Sequence, residues 1–127
     1  RILTGAIREI DQESVFAGHA GGDDFLFVCP IGSERKLCSE IISRFDRVIR
    51  NFYSDEDLEE DGIVLTSRNG ETKKFPIMTM SVAVVINEQG RRYKHYGEAC
   101  QAALEIRSYI KGLEGSNYMI DRRGKIR

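Results

Sequence analysis

The feature that constrains this chain most is a turn of glycines and aspartates placed directly between two apolar segments. Residues 25–29, Phe-Leu-Phe-Val-Cys, form a continuous apolar run, which is typical of a strand covered on both faces. Residues 14–19 are a second candidate strand, with apolar side chains near its centre. Between them, residues 20–24 have turn composition. The sequence therefore predicts a β-hairpin whose tip carries Gly21, Gly22, Asp23 and Asp24.

The rest of the chain alternates single helices with strands. Apolar residues at helical spacing and apolar runs with strand character give the order α-β-β-α-β-β-α-β. Hairpins that alternate with single helices are typical of an α+β fold, here an antiparallel sheet with flanking helices. Asn69 and Gly70 together predict a type I′ turn. The predicted helices span residues 1–10, 34–53 and 96–111, and the further strands span 63–66, 73–86 and 117–120.

Composition is that of an ordinary globular domain and excludes several classes of protein. A length of 127 residues suits a single domain over 1–127. The net charge of −1 excludes the uniformly basic surface of a non-specific nucleic-acid binder, so we expect no nucleic-acid polymer as a partner. No apolar run approaches the ~20 residues of a membrane span, and the three cysteines contain no Cys-x-x-Cys pair, which favours reduced thiols. We therefore expect a cytoplasmic domain without membrane insertion, and, because it begins at Arg1 rather than Met, part of a longer protein.

The hairpin tip combines two residue types that suit a metal–phosphate site. Glycines without side chains let a bulky ligand approach the backbone, and adjacent aspartates supply hard oxygen ligands. Mg²⁺ prefers one or two carboxylates together with substrate phosphates, and there it neutralises phosphate charge and activates an attacking hydroxyl. The alternative is an exposed turn, since glycine and aspartate are common turn residues. The residues by themselves leave both interpretations open.

The acidic segment 55–61 offers a weaker candidate for metal binding. From Asp57 onward the spacing resembles the start of a calcium-binding loop, but the twelfth position, which should be glutamate, is Arg68. We therefore interpret this segment as a solvated acidic loop, and residues 54–75 as an acidic loop and hairpin inserted into the domain. No glycine-rich P-loop motif occurs in the chain.

Residues 18–25, Gly-His-Ala-Gly-Gly-Asp-Asp-Phe, resemble the signature of the GGDEF domain, the diguanylate cyclase family of bacterial signalling proteins. The resemblance continues in the same order along the chain. Residues 78–84 are similar to the later strand of the family, 99–111 to its last helix, and 115–120 to its closing strand. It implies a palm-like, nucleotidyl-cyclase or ferredoxin-like antiparallel sheet with flanking helices. It also implies Mg²⁺- or Mn²⁺-dependent condensation of two GTP molecules into cyclic di-GMP.

The resemblance also implies roles for individual residues. Asp23 matches a catalytic metal ligand, and Asp24 matches the usual glutamate, which serves metal and substrate. Gly21, Gly22 and Phe25 match the part of the motif on which the nucleotide lies, and Lys111 matches a lysine that contacts the phosphates. Partners implied in the same way are GTP or a related nucleotide, a second copy in a homodimer, and a sensory or receiver domain upstream in a longer protein.

The chain departs from the family pattern at several positions. Asp24 is one methylene shorter than glutamate, Ser116 stands where an arginine is usual, and Ala83 replaces a strand glycine. The family's product-inhibition motif would fall on residues 12–15, which lack it. Active members also carry a first strand with a metal-binding aspartate and guanine-recognising residues before the hairpin. Only 20 residues precede Gly21 here, so we expect the domain to be incomplete on its N-terminal side and inactive by itself.

Three hypotheses of function follow from the sequence. The first is a GGDEF-type domain, active or degenerate, within a signalling protein. The second is a non-catalytic module that binds a nucleotide or a partner domain, or dimerises, through the same hairpin. The third is the palm of type III CRISPR effectors, which also carries Gly-Gly-Asp-Asp and makes cyclic oligoadenylates. The strand over 78–84 and the Gly-Ser-Asn sequence at 115–117 favour the first.

Overall fold

The computed structural model describes residues 16–21, 24–87 and 93–123. The helix predicted over residues 1–10 lies outside these ranges. The strands are β1 (Phe16–Gly21), β2 (Asp24–Val28), β3 (Gly62–Thr66), β4 (Thr72–Pro76), β5 (Ser81–Val84) and β6 (Asn117–Ile120). The helices are α1 (Glu34–Ile49), α2 (Asp55–Glu59) and α3 (Tyr96–Ile110), and a 3₁₀ turn, Arg50–Phe52, follows α1.

The strands in these ranges form three separate two-stranded sheets, not the single antiparallel sheet expected from the sequence. β1 pairs with β2, and β3 with β4, as antiparallel hairpins. β5 and β6 pair in parallel, because α3 carries the chain back from the end of β5 to the start of β6. The fold is therefore a mixture of helices and small, mostly antiparallel sheets that includes one β-α-β unit.

Helix α1 connects two of these sheets through one apolar face. Its buried residues Leu37 and Ile41 pack against Phe27 of β2. Its buried Cys38 packs against Val82 of β5 in a second cluster. These contacts confirm the N-terminal part of the apolar stripe predicted for this helix, since residues three and four apart share a helix face. The helix ends at Ile49 rather than near residue 53, and Phe52, the last predicted member of the stripe, is exposed in the 3₁₀ turn. No ladder joins β1–β2 to β5–β6 among the described strands.

Helix α3 covers the other face of the parallel pair. Its buried residues Ala102, Ile106 and Ile110 recur every fourth residue, so they lie on one side of the helix, as predicted. They are not part of the cluster that α1 forms with Val82 and Val84, whereas α3 contacts both β5 and β6. The parallel pair therefore lies between α1 and α3.

The expectation that β2 is covered on both faces is not met in the described part of the chain. Phe27 and Cys29 pack against α1, but Leu26 and Val28, whose side chains point to the opposite face, are 37% and 56% exposed. Phe25, on the same face as Phe27, is also exposed. The cover on this strand comes from α1, and α1 reaches one face only. The apolar run therefore predicted the strand correctly but overestimated its burial.

The second hairpin has the predicted position and a different turn. A type I′ turn needs positive φ at both central residues, but Gly70 has φ of 82° and Asn69 does not have positive φ. The N–H of Gly70 donates to the carbonyl of Ser67 at 3.0 Å. The N–H of Ser67 in turn donates to Glu71, which leaves three residues in the loop. A loop of three residues favours a type I turn followed by a left-handed glycine, as found here.

The long returning strand that the sequence predicts is divided into β4 and β5. Pro76 ends β4 and has no N–H for a ladder. The N–H of Met78 then donates to the hydroxyl of Tyr53 at 3.1 Å, and that of Met80 donates to Ser116 Oγ at 2.9 Å. Side chains thus take the backbone donors that a continuous strand would have used.

The acidic segment 55–61 folds into the short helix α2 instead of a loop. Ser54 is the N-cap residue, and its Oγ accepts a hydrogen bond from the N–H of Asp57 at 3.1 Å. Acidic residues in the first turn also interact favourably with the positive end of the helix dipole. The predicted insertion over 54–75 therefore consists of α2 and the β3–β4 hairpin.

Candidate functional site

The tip of the first hairpin is the site that the sequence predicts, and the structure describes both of its flanks. β1 ends at Gly21 and β2 begins at Asp24, and these two residues pair across the hairpin. Gly22 and Asp23 lie outside the described residues. The ladder shifts register between His19 and Gly21. Such a bulge is common next to active sites, where it changes the direction in which a side chain points.

Asp24 forms an ion pair with a residue that the sequence interpretation missed. Arg107, in the last turn of α3, places a terminal guanidinium nitrogen 2.6 Å from Asp24 Oδ1. The Asp24 side chain is 57% exposed and that of Arg107 is 31% exposed. The pair thus places a carboxylate and a guanidinium side by side at the start of β2. A ligand at this point could meet either a negative or a positive group.

Lys111 lies one turn beyond Arg107 on the same helix. It is the C-cap residue of α3, its side chain is exposed, and its N–H donates to the carbonyl of Arg107 at 3.0 Å. Residues four apart share a helix face, so the side of α3 that reaches Asp24 carries both cations. This spacing is the signal that could have identified Arg107 from the sequence.

Ser116, at the position where the resemblance expects a phosphate-binding arginine, has structural contacts instead. Its hydroxyl donates to the carboxylate of Asp46 on α1 and accepts from the N–H of Met80 at 2.9 Å. These bonds connect the loop after α3 to α1 and to the segment that leads into β5. A serine is short enough to reach both partners, and it supplies no positive charge.

A metal ion at the hairpin tip would depend on the two aspartates that the sequence places there, Asp23 and Asp24. No group of three histidine, cysteine, aspartate or glutamate side chains within residues 16–21, 24–87 and 93–123 is placed to hold a metal ion. Mg²⁺ does not need three, because it is usually bound by one or two carboxylates together with phosphates and water. Asp24 uses Oδ1 for Arg107, and a carboxylate has a second oxygen that can coordinate an ion.

The three cysteines are free thiols, and burial makes one of them inert. Burial raises the pKa of Cys38 to about 12, so its thiol stays protonated near neutral pH. Burial also raises the pKa of Cys29, against a smaller lowering effect from Ser33. Because the thiolate is the reactive form, these two cysteines belong to the core and not to the site.

Comparison with protein-family models, curated proteins and solved structures finds no match to this chain. Within the parts that the structure describes, none of the helices combines the length and the apolar character that crossing a membrane requires.

Proposed function

We propose that this chain is a GGDEF-type signalling domain, related to diguanylate cyclases, that binds GTP or a related nucleotide with Mg²⁺ or Mn²⁺ at the tip of its first hairpin. The proposal includes a palm-like arrangement of the complete domain. The observation that carries it is the ion pair between Asp24 and Arg107 at 2.6 Å. A metal–triphosphate complex needs carboxylates for the metal and cations for the phosphates, and this pair supplies one of each.

Each residue of the proposed site has a distinct task. Asp23 and Asp24 would hold the metal ion, which when bound neutralises phosphate charge and favours ionisation of an attacking hydroxyl. Arg107 would exchange its contact with Asp24 for a phosphate oxygen, since a guanidinium forms strong charge-assisted bonds with phosphate. Lys111 would add a second positive charge one turn away. Gly21 and Gly22 would leave room for the nucleotide next to the backbone.

Condensation of two GTP molecules would need two such domains facing each other. Each site would then present one nucleotide, whose 3′-hydroxyl attacks the α-phosphorus of the other with release of pyrophosphate. Asp24 is shorter than the glutamate, and Ser116 lacks the charge of the arginine, that the resemblance implies at these positions. We therefore do not expect turnover of GTP by this chain alone. We propose nucleotide binding as the activity of this chain, and cyclisation as an activity that would require a homodimer in which two such sites face each other.

Calorimetry with GTP, in Mg²⁺ and in EDTA, tests the metal role. We expect binding that is stronger in Mg²⁺, and a loss of that Mg²⁺ effect in Asp23→Ala. The matched control is Asp55→Ala, because Asp55 is an exposed aspartate in α2, away from the hairpin. Chromatography of the reaction mixture detects any cyclic di-GMP that is formed. If Asp23→Ala binds GTP with the same Mg²⁺ dependence as the wild type, or forms as much cyclic di-GMP, the proposal is refuted.

A second candidate is a degenerate module that binds a nucleotide without converting it. The contacts of Ser116 favour it, because the hydroxyl is engaged by Asp46 and Met80 and supplies no charge for a phosphate. Binding of GTP or cyclic di-GMP without formation of any product would select this alternative. A preference for ATP over GTP would instead select the palm of a CRISPR-associated cyclase.

A further inference from the structure

A groove follows the outer edge of β6, away from the hairpin tip. It has a volume of about 720 Å³ and is lined by three consecutive strand residues, Tyr118, Met119 and Ile120. Successive side chains of a strand point to opposite faces. A groove that touches all three must therefore run along the edge of the strand. Arg35 of α1 and Tyr109 of α3 line its two sides.

The backbone at this edge has hydrogen-bonding capacity that β5 does not use. The N–H groups of Asn117 and Asp121 donate to carbonyls on the β5 side, at 3.0 and 2.8 Å. In a parallel pair, alternate residues of a strand bond to the same neighbour. Tyr118 and Ile120 therefore direct their N–H and C=O groups away from β5. Within the described ranges β6 pairs with β5 alone, so this edge is open to a further strand.

A fixed guanidinium lies at the end of β6. Asp121 is 3% exposed and accepts hydrogen bonds from the N–H of Arg123 at 2.9 Å and from its Nε at 3.0 Å. Burial raises the pKa of Asp121, but these bonds, the charge of Arg123 and a bond from the Tyr93 hydroxyl outweigh it, so the pKa lies below its usual value. A terminal nitrogen of Arg123 contacts Glu105 at 2.7 Å. The guanidinium is thus held in one orientation beside the groove.

Two further arginines of the groove lack carboxylate partners among the residues that the structure describes. Arg123 is neutralised by Asp121 and Glu105. Arg35 and Arg122 line the same groove, are exposed, and form no ion pair in those ranges. An apolar strand edge bordered by unneutralised guanidinium groups complements a segment that is extended and acidic.

We propose that the outer edge of β6 is a docking site for an extended acidic segment of a partner protein, which adds a strand beside β6. Main-chain hydrogen bonds to Tyr118 and Ile120 provide affinity, as in other complexes formed by strand addition. Acidic side chains that pair with Arg35 and Arg122 determine the specificity for the partner. The same arginines disfavour basic strands, because edge charges oppose unwanted pairing.

Fluorescence anisotropy with the intact chain tests this proposal. The probe is a labelled ten-residue peptide of alternating glutamate and valine, and the control peptide alternates lysine and valine. We expect the acidic peptide to bind and the basic one not to bind. The double substitution Arg35→Glu with Arg122→Glu should weaken binding roughly tenfold or more. Arg68→Glu, in the turn between β3 and β4, should leave it unchanged.

Backbone methylation of the peptide separates strand addition from simple charge attraction. Only every second amide of an added strand faces its neighbour. One acidic peptide is N-methylated at its odd-numbered residues and a second at its even-numbered residues. Their affinities should therefore differ strongly, and only one of the two should still bind. Equal binding of the two, or displacement of the probe by inorganic phosphate at the same ionic strength, would overturn the proposal. The proposal would also be overturned if the peptide does not bind and the groove substitutions abolish self-association. In that case the occupant of the groove is a second copy of this chain.

Discussion

The substitution Asp24→Asn should change nucleotide affinity in opposite directions with and without Mg²⁺. Without the metal, the Asp24 carboxylate repels a triphosphate and occupies the Arg107 guanidinium at 2.6 Å. An amide removes one negative charge and releases the guanidinium, so we expect GTP to bind more tightly. In the proposed site the same carboxylate is a ligand of the metal, so the variant should lose the gain in affinity that we expect Mg²⁺ to give the wild type.

The magnitude follows from the exposure of the ion pair. Because Asp24 is 57% exposed and Arg107 is 31% exposed, solvent screens both charges, and such a pair contributes about 0.2–1 kcal/mol. A factor of ten in the dissociation constant corresponds to about 1.4 kcal/mol, so the gain without metal should be at most about fivefold. For the same reason the free energy of unfolding should fall by less than about 1 kcal/mol. The substitution is therefore a probe of binding and not of folding.

Calorimetry at constant ionic strength, with GTP in EDTA and in Mg²⁺, measures both effects. Arg107→Met should weaken binding in either buffer, because in the proposed site the guanidinium meets the phosphates both with and without the metal. Arg68→Met is the matched control, since Arg68 lies in the turn of a different hairpin. If Asp24→Asn responds to Mg²⁺ as the wild type does, Asp24 is not a metal ligand. If Arg107→Met binds GTP as tightly as the wild type, the guanidinium does not meet a phosphate.

Three further predictions concern stability and thiol reactivity. Gly62→Ala should lower the free energy of unfolding, measured in urea, by about 3 kcal/mol or more, since a Cβ at φ 152° would lie 2.5 Å from a carbonyl of the facing strand. Gly70→Ala, at φ 82° in open space, should lower it by only about 1–2 kcal/mol. Equal losses in the two variants would contradict this reasoning. Burial raises the pKa of Asp121 but hydrogen bonds hold it below the 3.8 of the unfolded chain, so the stability it adds is present above that pH and is lost as the pH falls through the folded pKa. Asp121→Asn should thus cost about 1.5–3 kcal/mol at pH 7 and little in acid, and a difference independent of pH would refute this. Cys38, buried and with a pKa of about 12, should react with a thiol reagent only on unfolding, while the partly exposed Cys100 reacts in the native state. Mass spectrometry measures the order of labelling, and labelling of Cys38 before Cys100 would contradict this prediction.

Local signals explain why most elements could be predicted from the sequence. Strand β6 has the predicted bounds, Asn117–Ile120, and α3 begins at Tyr96, one of the two starts, Tyr96 or Gly97, that the sequence allows. Both follow from apolar spacing within one segment, closed by glycines at 112 and 115. The two hairpins are also local, since each joins neighbouring strands through a short turn. Patterns of this kind do not depend on the rest of the chain.

The arrangement of the elements depends on distant residues and could not be read in the same way. The spacing from Lys111 could identify the helix face on which Arg107 lies, but Arg107 is 83 positions from Asp24, so no local pattern predicts that these two residues form a pair. The parallel pairing of β5 and β6 likewise depends on where α3 returns the chain. The exposure of Phe25 and Val28 depends on which elements pack against β2, and an apolar run by itself cannot specify that.

A cation lies beside the first hairpin, and it comes from a helix rather than from the loop after α3. In that loop Ser116 carries no charge, and its hydroxyl is engaged by Asp46 and Met80. Arg107, in the last turn of α3, reaches Asp24 directly. Because sites built on helices are positioned more precisely than sites on loops, the guanidinium beside Asp24 is better placed to meet a ligand than a loop residue would be.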